Sequence, residues 1–161
     1  MGKYNTITPW ITTKDTRKLI DFLVSSFDAV ELGCVKNSNG SIGHAEVQIG
    51  DSKIMMFDTP NDIQPLPSLI NLFVEDSERL YNQVLKAGAV SMTKITKHSW
   101  GDKSGRIIDP FGNVWWIVSC VEDVSAEEMQ KRFMQKEYQD AMEYAQSSFD
   151  LKKAIEIANK E

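Results

Sequence analysis

Three side chains that can do chemistry stand two residues apart in the first third of the chain: His44, Glu46 and Gln48. Apolar residues alternate with them, and this period of two predicts a strand whose polar side chains share one face. A histidine beside a carboxylate can move protons near neutral pH, so His44 and Glu46 are candidates for an acid–base pair or a ligand-binding pair. The alternative is a polar strand face that is simply solvated.

Arg106 and Trp100 are further candidates, on either side of the glycine-flanked segment 101–105, which predicts a turn. The Arg106 guanidinium either binds an anionic ligand or forms a structural ion pair with Glu46 or Asp109, and we expect the ion pair. Trp100 either caps the mouth of a ligand cleft or anchors its own loop.

Two adjacent tryptophans, Trp115 and Trp116, follow the turn sequence Asp-Pro-Phe-Gly-Asn at 109–113. Successive side chains of a strand point to opposite faces of its sheet. One of the two indoles is therefore expected in a hydrophobic core, and the other on the open face.

The composition excludes some classes of partner. A net charge of −5 and a pI near 5.1 argue against nucleic acid, because phosphate binding needs a basic face. No signal peptide or bilayer-spanning apolar segment is evident, so we expect a cytoplasmic protein with no membrane partner. Cys34 and Cys120 could form a disulfide, but we expect two reduced, buried thiols.

An internal repeat organises most of the chain. Residues 8–30 and 69–90 align at a constant offset of about 60 residues, the size of a supersecondary unit. Each copy has a short extended run, then an aspartate that can cap a helix (Asp15 or Asp76), then apolar residues at helical spacing. Both copies therefore predict a strand followed by an amphipathic helix.

Three strand signals follow each helix, so each copy predicts a βαβββ module. The modules span about 5–58 and 68–121, within a domain at 1–123, and the proline-rich segment 59–67 predicts a non-helical linker. The predicted strands are 30–35, 44–49 and 53–57 in the first module, and 90–95, 106–108 and 114–118 in the second.

The remaining residues, 124–161, predict a helical tail. Ser125 and Glu128 form a capping box that opens a long helix running to about Ser147, and a second helix follows Asp150. Neither helix can bury its apolar stripe alone, so the tail docks on its own domain or on a second subunit. Because two-fold packing would cover both stripes, we expect a homodimer with the tail in its interface.

Four sequence motifs carry a resemblance to a known family: TPWITTKDTRKLIDFLVSSF, GHAEVQIGDSKIMMFD, WGDKSGRIIDPFGNVWWIV and VEDVSAEEMQKR. They resemble the PhnB-like branch of the vicinal oxygen chelate superfamily, a superfamily that includes glyoxalases, bleomycin-resistance proteins and extradiol dioxygenases. Lys103 stands where that branch usually has arginine. The resemblance implies an α+β fold in which tandem βαβββ modules form a curved open sheet with a ligand cleft, here with a C-terminal helical extension.

The resemblance also implies where a metal ion would be held: Thr8 and Leu69 on the first strands, and Met56 and Trp116 on the last strands. None of these side chains suits a hard or borderline divalent cation, which prefers imidazole or carboxylate. We therefore predict no cofactor, with a divalent metal possible only in a shifted site at His44 and Glu46.

The same alignment directs Trp116 into the cleft and Trp115 into the core. Three hypotheses remain: a metal-independent small-molecule binding protein, a divalent-metal-dependent lyase or dioxygenase-like enzyme using His44 and Glu46, and a non-enzymatic scaffold that binds a partner through the tail. The predicted ligand-binding residues are Trp10, His44, Glu46, Met56, Trp100, Arg106 and Trp116.

Overall fold

A computed structural model describes residues 4–160 and has the predicted α+β architecture, with two four-stranded sheets and flanking helices. The first sheet has the strand order β1-β4-β3-β2, with β1 parallel to β4 and the other neighbours antiparallel. Helix α1 (Thr16–Ser26) follows β1 and packs on this sheet. The strands are β1 (Trp10–Thr13), β2 (Val30–Lys36), β3 (Ile42–Ile49) and β4 (Ser52–Asp58).

The second sheet repeats this topology, in the order β5-β8-β7-β6, with β5 parallel to β8. Helix α2 (Ser77–Lys86) packs on β6, β7 and β8. The predicted succession of one strand, one helix and three strands is therefore present in both halves. The strands are β5 (Leu69–Phe73), β6 (Val90–Lys97), β7 (Asp102–Ile108) and β8 (Val114–Cys120).

The two predicted helix caps are confirmed. Asp15 accepts a hydrogen bond from the Lys18 backbone N–H at 3.0 Å, and Asp76 accepts one from the Arg79 N–H at 2.9 Å. Each bond satisfies one of the backbone donors that a helix leaves unpaired in its first turn. The apolar stripes behind these caps are buried, at Leu19, Phe22, Leu23 and Phe27 in the first module and at Leu80 and Val84 in the second.

The predicted turn at 101–105 is wrong, because β7 already begins at Asp102. Its first residues pair with β8, Asp102 opposite Cys120 and Lys103 opposite Ser119. The turn lies just before, and it ends at Gly101, which has a φ of +97° and no room for a side chain against the Glu122 carbonyl. Polar residues such as Asp102 and Lys103 have low intrinsic strand propensity, so their strand conformation comes from pairing with β8 and cannot be predicted from the local sequence.

The tail forms three helices: α3 (Ala126–Phe133), α4 (Lys136–Ser147) and α5 (Leu151–Ala158). Ser125 caps α3 by accepting a hydrogen bond from the Glu128 N–H at 3.2 Å, as expected. The single helix predicted from Ser125 to about Ser147 is wrong, because the chain leaves the helix at Met134 and Gln135.

The chain divides into two compact units, and the tail is shared between them. The first unit contains the described residues up to Ser68, the segment Pro110–Asn113 and the described residues from Lys153 onward. The second contains Leu69–Asp109 and Val114–Lys152. Helices α3 and α4 thus belong with the second module, and most of α5 belongs with the first.

Within the first unit, α5 packs directly on the turn at 110–113. Gly112 has a φ of +88°, and a Cβ built there would lie 2.5 Å from Ala158 Cβ and 2.6 Å from the Ala154 carbonyl oxygen. Both alanines are buried. The turn therefore needs glycine for two reasons, its backbone conformation and the close approach of the helix.

Both cysteines are free, as expected, but they are not buried: Cys34 is half-buried and Cys120 is exposed. In residues 4–160, no helix combines the length and the apolar character that crossing a bilayer requires.

Candidate functional site

A cavity of about 340 Å³ lies in the second unit, on one face of its sheet. Its walls are largely apolar, and two polar side chains, Asn71 and Arg106, complete them. The apolar lining residues are Leu69, Ile70, Val114, Trp116 and Phe149.

Strand register brings the central residues of this cavity together. Asn71 of β5 stands opposite Trp116 of β8, and Trp116 stands opposite Arg106 of β7. Paired residues on neighbouring strands point to the same face of a sheet, so these three form one row. Trp115 points the other way: it is fully buried and donates its Nε1–H to Asp109 at 2.9 Å. The predicted faces of the two tryptophans are confirmed.

Arg106 is the one charged residue of the cavity wall, and only 9% of its surface is exposed. Its guanidinium carbon lies 4.1 Å from the ring centroid of Trp116 and 5.3 Å from that of Phe149, both within cation–π range. Nη1 donates to Thr93 Oγ1 at 3.3 Å and to the Ala145 carbonyl. Burial lowers the pKa of Arg106, but a guanidinium stays charged at neutral pH.

The structural ion pair expected for Arg106 is wrong. Its contacts are an alcohol, a carbonyl and two aromatic rings, and within residues 4–160 no carboxylate pairs with it. The Asp109 carboxylate instead accepts the indole N–H of Trp115. Arg106 is thus a buried cation without a counter-ion in the described part of the chain.

Helix α4 is fixed on β6 beside the cavity. The Lys94 backbone N–H donates to the Tyr144 hydroxyl at 3.1 Å, and the hydroxyls of Thr93 and Ser148 share a hydrogen bond at 2.7 Å. These bonds place Phe149, just after α4, in the cavity wall. No sequence pattern predicts that Phe149 lines the cavity. Asn71 was predictable, because it stands two residues after Leu69 on β5 and residues two apart on a strand share a face.

The first unit has its own groove, of about 640 Å³, which contains the candidate pair His44 and Glu46. The His44 Nε2 lies 2.9 Å from Glu46 Oε1, and the Tyr4 hydroxyl donates to the same oxygen at 2.7 Å. Lys53 Nζ lies 4.5 Å from the centroid of the Tyr4 ring. The structure therefore brings the predicted pair together and adds Tyr4 to it.

These contacts make Glu46 a weaker base. The Tyr4 hydroxyl and then His44 stabilise its charged form, which lowers the pKa of Glu46 below its usual value. A general base is most effective when its pKa lies near the working pH. Glu46 is accordingly better suited to accept hydrogen bonds or hold a cation than to abstract protons at neutral pH.

Trp10 lies beside this pair, and 47% of its surface is exposed. Its ring makes edge contacts with His44 at 5.6 Å and Phe57 at 5.7 Å between centroids. Its neighbour across the sheet is Met55, which in turn pairs with Glu46. Trp10 therefore shares one face of the sheet with His44 and Glu46.

The placement of Met56 in the cleft is wrong. Met56 is fully buried between Ile11 and Ala45 in the sheet register, and Met55 occupies the open face instead. A shift of one residue moves every side chain of a strand to the opposite face. The turn before β4 also contains a positive-φ glycine, Gly50, but it stands five residues before Met55, whereas Gly112 stands four residues before Trp116. Because the two turns differ in length, the overlay of the two last strands is displaced by one residue.

The four family metal positions, corrected to Thr8, Met55, Leu69 and Trp116, do not fit a divalent cation. Thr8 donates its hydroxyl to the Asn5 carbonyl at 3.2 Å, and the other three offer a thioether, an alkyl group and an indole. Hard and borderline cations prefer carboxylate and imidazole ligands. Nor do residues 4–160 contain any group of three or more potential His, Cys, Asp or Glu ligands.

Trp100 anchors its loop. Its ring stacks on His98 with centroids 4.4 Å apart, and its Nε1–H donates to Asp102 at 2.8 Å. His98 itself is buried, and its Nε2 lies 2.6 Å from the Ser104 hydroxyl. Burial lowers the pKa of His98. Trp100 does not line the cavity of the second unit.

Comparisons with known proteins agree with this fold. The family model described as Glyoxalase/Bleomycin resistance protein/Dioxygenase superfamily matches residues 3–117. Uncharacterized proteins of Mycobacterium bovis (Mb0911c) and Mycobacterium tuberculosis (Rv0887c) are each 33% identical over 135 residues. That alignment covers 77% of this chain, and 89% and 79% of the two relatives.

Solved structures share the fold at lower identity. TioX from Micromonospora sp. ML1 superposes with a TM-score of 0.63 at 20% identity, covering 74% of this chain and 100% of TioX. A Bacillus cereus PhnB protein, described as a putative 3-demethylubiquinone-9 3-methyltransferase, gives 0.56 at 17% identity, covering 71% and 99%.

Proposed function

Since the chain belongs to the glyoxalase/bleomycin resistance protein/dioxygenase superfamily, we propose that it binds a small molecule in the cavity of its second unit and does so without the family metal ion. The free cysteines Cys34 and Cys120 support a cytoplasmic location for this activity.

The observation that carries the proposal is the position of Trp116. Where metal-using relatives would place a ligand to the ion, this chain has a half-buried indole that faces a cavity. The cavity volume of about 340 Å³ falls in the range of small-molecule sites, which combine apolar walls with a few converging polar groups. An aromatic platform suits a flat ligand, because offset stacking adds to the burial of apolar surface.

The proposal is tested by titrating the protein with a panel of aromatic metabolites and antibiotics. Isothermal calorimetry and thermal shift are the readouts, since binding to the native state raises the melting temperature. Trp116→Ala is expected to abolish binding. Phe73→Ala is the matched control, because it removes an exposed aromatic ring that does not line the cavity and should leave binding intact. Binding that survives Trp116→Ala would contradict the assignment of the site.

A second candidate function is a divalent-metal-dependent lyase or dioxygenase-like activity in the groove of the first unit. The hydrogen-bonded group formed by Tyr4, Glu46 and His44 favours it, because His44 and Glu46 offer an imidazole and an ionised carboxylate on one face. Elemental analysis of protein purified without chelator decides between the two. Stoichiometric zinc, nickel, manganese or iron that is lost in His44→Ala would favour the enzyme over metal-free binding.

A further inference from the structure

We infer that the ligand of the second-unit cavity is an aromatic carboxylic acid, whose ring lies against Trp116 and whose carboxylate pairs with Arg106. The inference rests on the proposed function and adds the chemical class of the ligand.

The charge of Arg106 is unbalanced in the described part of the chain. Arg106 is nine-tenths buried, and within residues 4–160 it has no carboxylate partner. A charge removed from water is costly unless it is paired, so buried arginines normally have an anion beside them. No aspartate or glutamate lines this cavity, so nothing there would repel an incoming anion. An anionic ligand would supply the missing charge.

One edge of the Arg106 guanidinium makes no hydrogen bond within residues 4–160. Only Nη1 is engaged, with Thr93 and the Ala145 carbonyl, and Nε and Nη2 have no hydrogen-bond partner in residues 4–160. In residues 4–160, the fully buried side-chain atoms without a partner are Thr16 Oγ1 and Ser99 Oγ. Nε and Nη2 of Arg106 are not among them, so both nitrogens keep some solvent-accessible surface. Two parallel N–H donors on one edge match the two oxygens of a carboxylate.

The surroundings of the Arg106 charge are aromatic. The guanidinium lies against the rings of Trp116 and Phe149, at 4.1 and 5.3 Å from their centroids. An anion bound at its edge would have its carbon skeleton beside the same aromatic walls. A planar, conjugated acid meets both requirements, whereas inorganic phosphate or a flexible polar acid would leave the apolar walls unused.

Asn71 adds a second polar contact. It stands on the opposite side of Trp116 from Arg106 in the same row of the sheet, and its side chain makes no hydrogen bond within residues 4–160. A carboxamide can both donate and accept. Asn71 would therefore bind a hydroxyl or amine on the ring, on the side away from the carboxylate.

The test compares 2-naphthoate with its neutral isostere 2-naphthamide by calorimetry at pH 7.5. The wild-type protein should bind the acid roughly 10- to 100-fold more tightly, the range for a hydrogen bond to a charged group. Arg106→Met should make the two affinities equal. Arg106→Lys should keep part of the preference for the acid, because lysine retains the positive charge but lacks the two parallel N–H donors of the guanidinium. Arg79→Met is the control, since Arg79 is an exposed arginine on α2.

The outcomes separate this inference from the proposed function. Equal binding of both compounds by the wild type, lost in Trp116→Ala, would overturn the acid preference and leave the binding function standing. No binding of either compound at millimolar concentration would overturn the inference. If none of the aromatic metabolites and antibiotics bound either, the proposed function would be overturned as well. If Arg106→Met fails to fold, the wild-type comparison and Arg106→Lys still decide.

Discussion

The guanidinium carbon of Arg106 lies 4.1 Å from the ring centroid of Trp116, and the two residues are direct partners across β7 and β8. The pair places the Arg106 guanidinium, the one charged group of the cavity wall, on the ring of Trp116, where we propose that the ligand binds. The neighbouring Trp115 has the opposite environment, fully buried beneath the sheet.

The two tryptophans should therefore differ in their contribution to stability. Trp115→Ala should lower the free energy of unfolding by roughly 3–5 kcal/mol, the usual cost of truncating a buried aromatic residue. Trp116→Ala should cost less, because its ring is half-buried and faces a cavity. Urea unfolding followed by circular dichroism measures both, and equal losses would contradict the different roles assigned to the two indoles.

Gly112→Ala should destabilise the protein more than Gly40→Ala. Both glycines have a φ of +88°, but a Cβ at Gly40 meets open space, whereas one at Gly112 meets Ala158 and the Ala154 carbonyl. The control should cost about 1 kcal/mol for the strained backbone, and Gly112→Ala about 1 kcal/mol or more beyond that for overpacking. Thermal unfolding compares them, and equal losses would mean that α5 does not pack on the turn.

Stability should fall as the pH drops below about 6.5, in part because of His98. Burial lowers the pKa of His98 in the folded state, so the unfolded chain binds the proton more readily once the pH passes below the ordinary histidine value of 6.5. Urea unfolding at pH 7.5 and pH 5.5 measures the loss. His98→Gln should reduce this loss, and an unchanged pH dependence in the variant would exclude His98 as its source.

Glu122 should titrate far below an ordinary glutamate. Hydrogen bonds from Arg132 and then Lys97 lower its pKa to about 2. The stabilisation from this contact is complete above the ordinary glutamate pKa of 4.5 and is lost as the pH falls towards about 2. Carboxyl NMR should show the shift and its reversal in Arg132→Met. A normal pKa in the wild type would mean that Arg132 does not hold Glu122 in solution.

We also propose a homodimer that uses the tail. Phe133 and Met134, at the break between α3 and α4, are 41% and 79% exposed. Light scattering of the full chain should give the dimer mass, and Phe133→Glu should give the monomer. Deleting the tail is a poor test, because it would also remove the Ala145 carbonyl that accepts a hydrogen bond from Arg106 and the Ala154 that packs on Gly112. A monomeric wild type would rule the dimer out.

Local patterns predicted a large part of this structure. The aspartates before α1 and α2 accept the backbone N–H bonds expected of helix caps, and the apolar residues behind them are buried. The alternation along β3 placed His44 and Glu46 on one face, and they are hydrogen-bonded there. Helix caps and strand periodicity depend on residues within a few positions of one another, so they can be found in a single sequence.

The candidate site was predicted less completely. Trp116 is assigned to the correct face from its spacing to Gly112, whereas Met56 is assigned to the wrong face because the turn glycine before β4, Gly50, has a different spacing to its strand. The expected acidic partner of Arg106 does not exist in the described residues, and Phe149 was not foreseen at all.

The sequence by itself thus determined the repeated βαβββ modules, the helix ends and the faces of most strands, because these follow from steric and hydrogen-bonding rules that act over a few residues. Only the tertiary structure decided that Arg106 packs on Trp116, that α4 brings Phe149 to the cavity and that α5 requires Gly112. Those contacts join residues far apart in the chain, and their energies depend on burial and shape that exist only once the elements have packed.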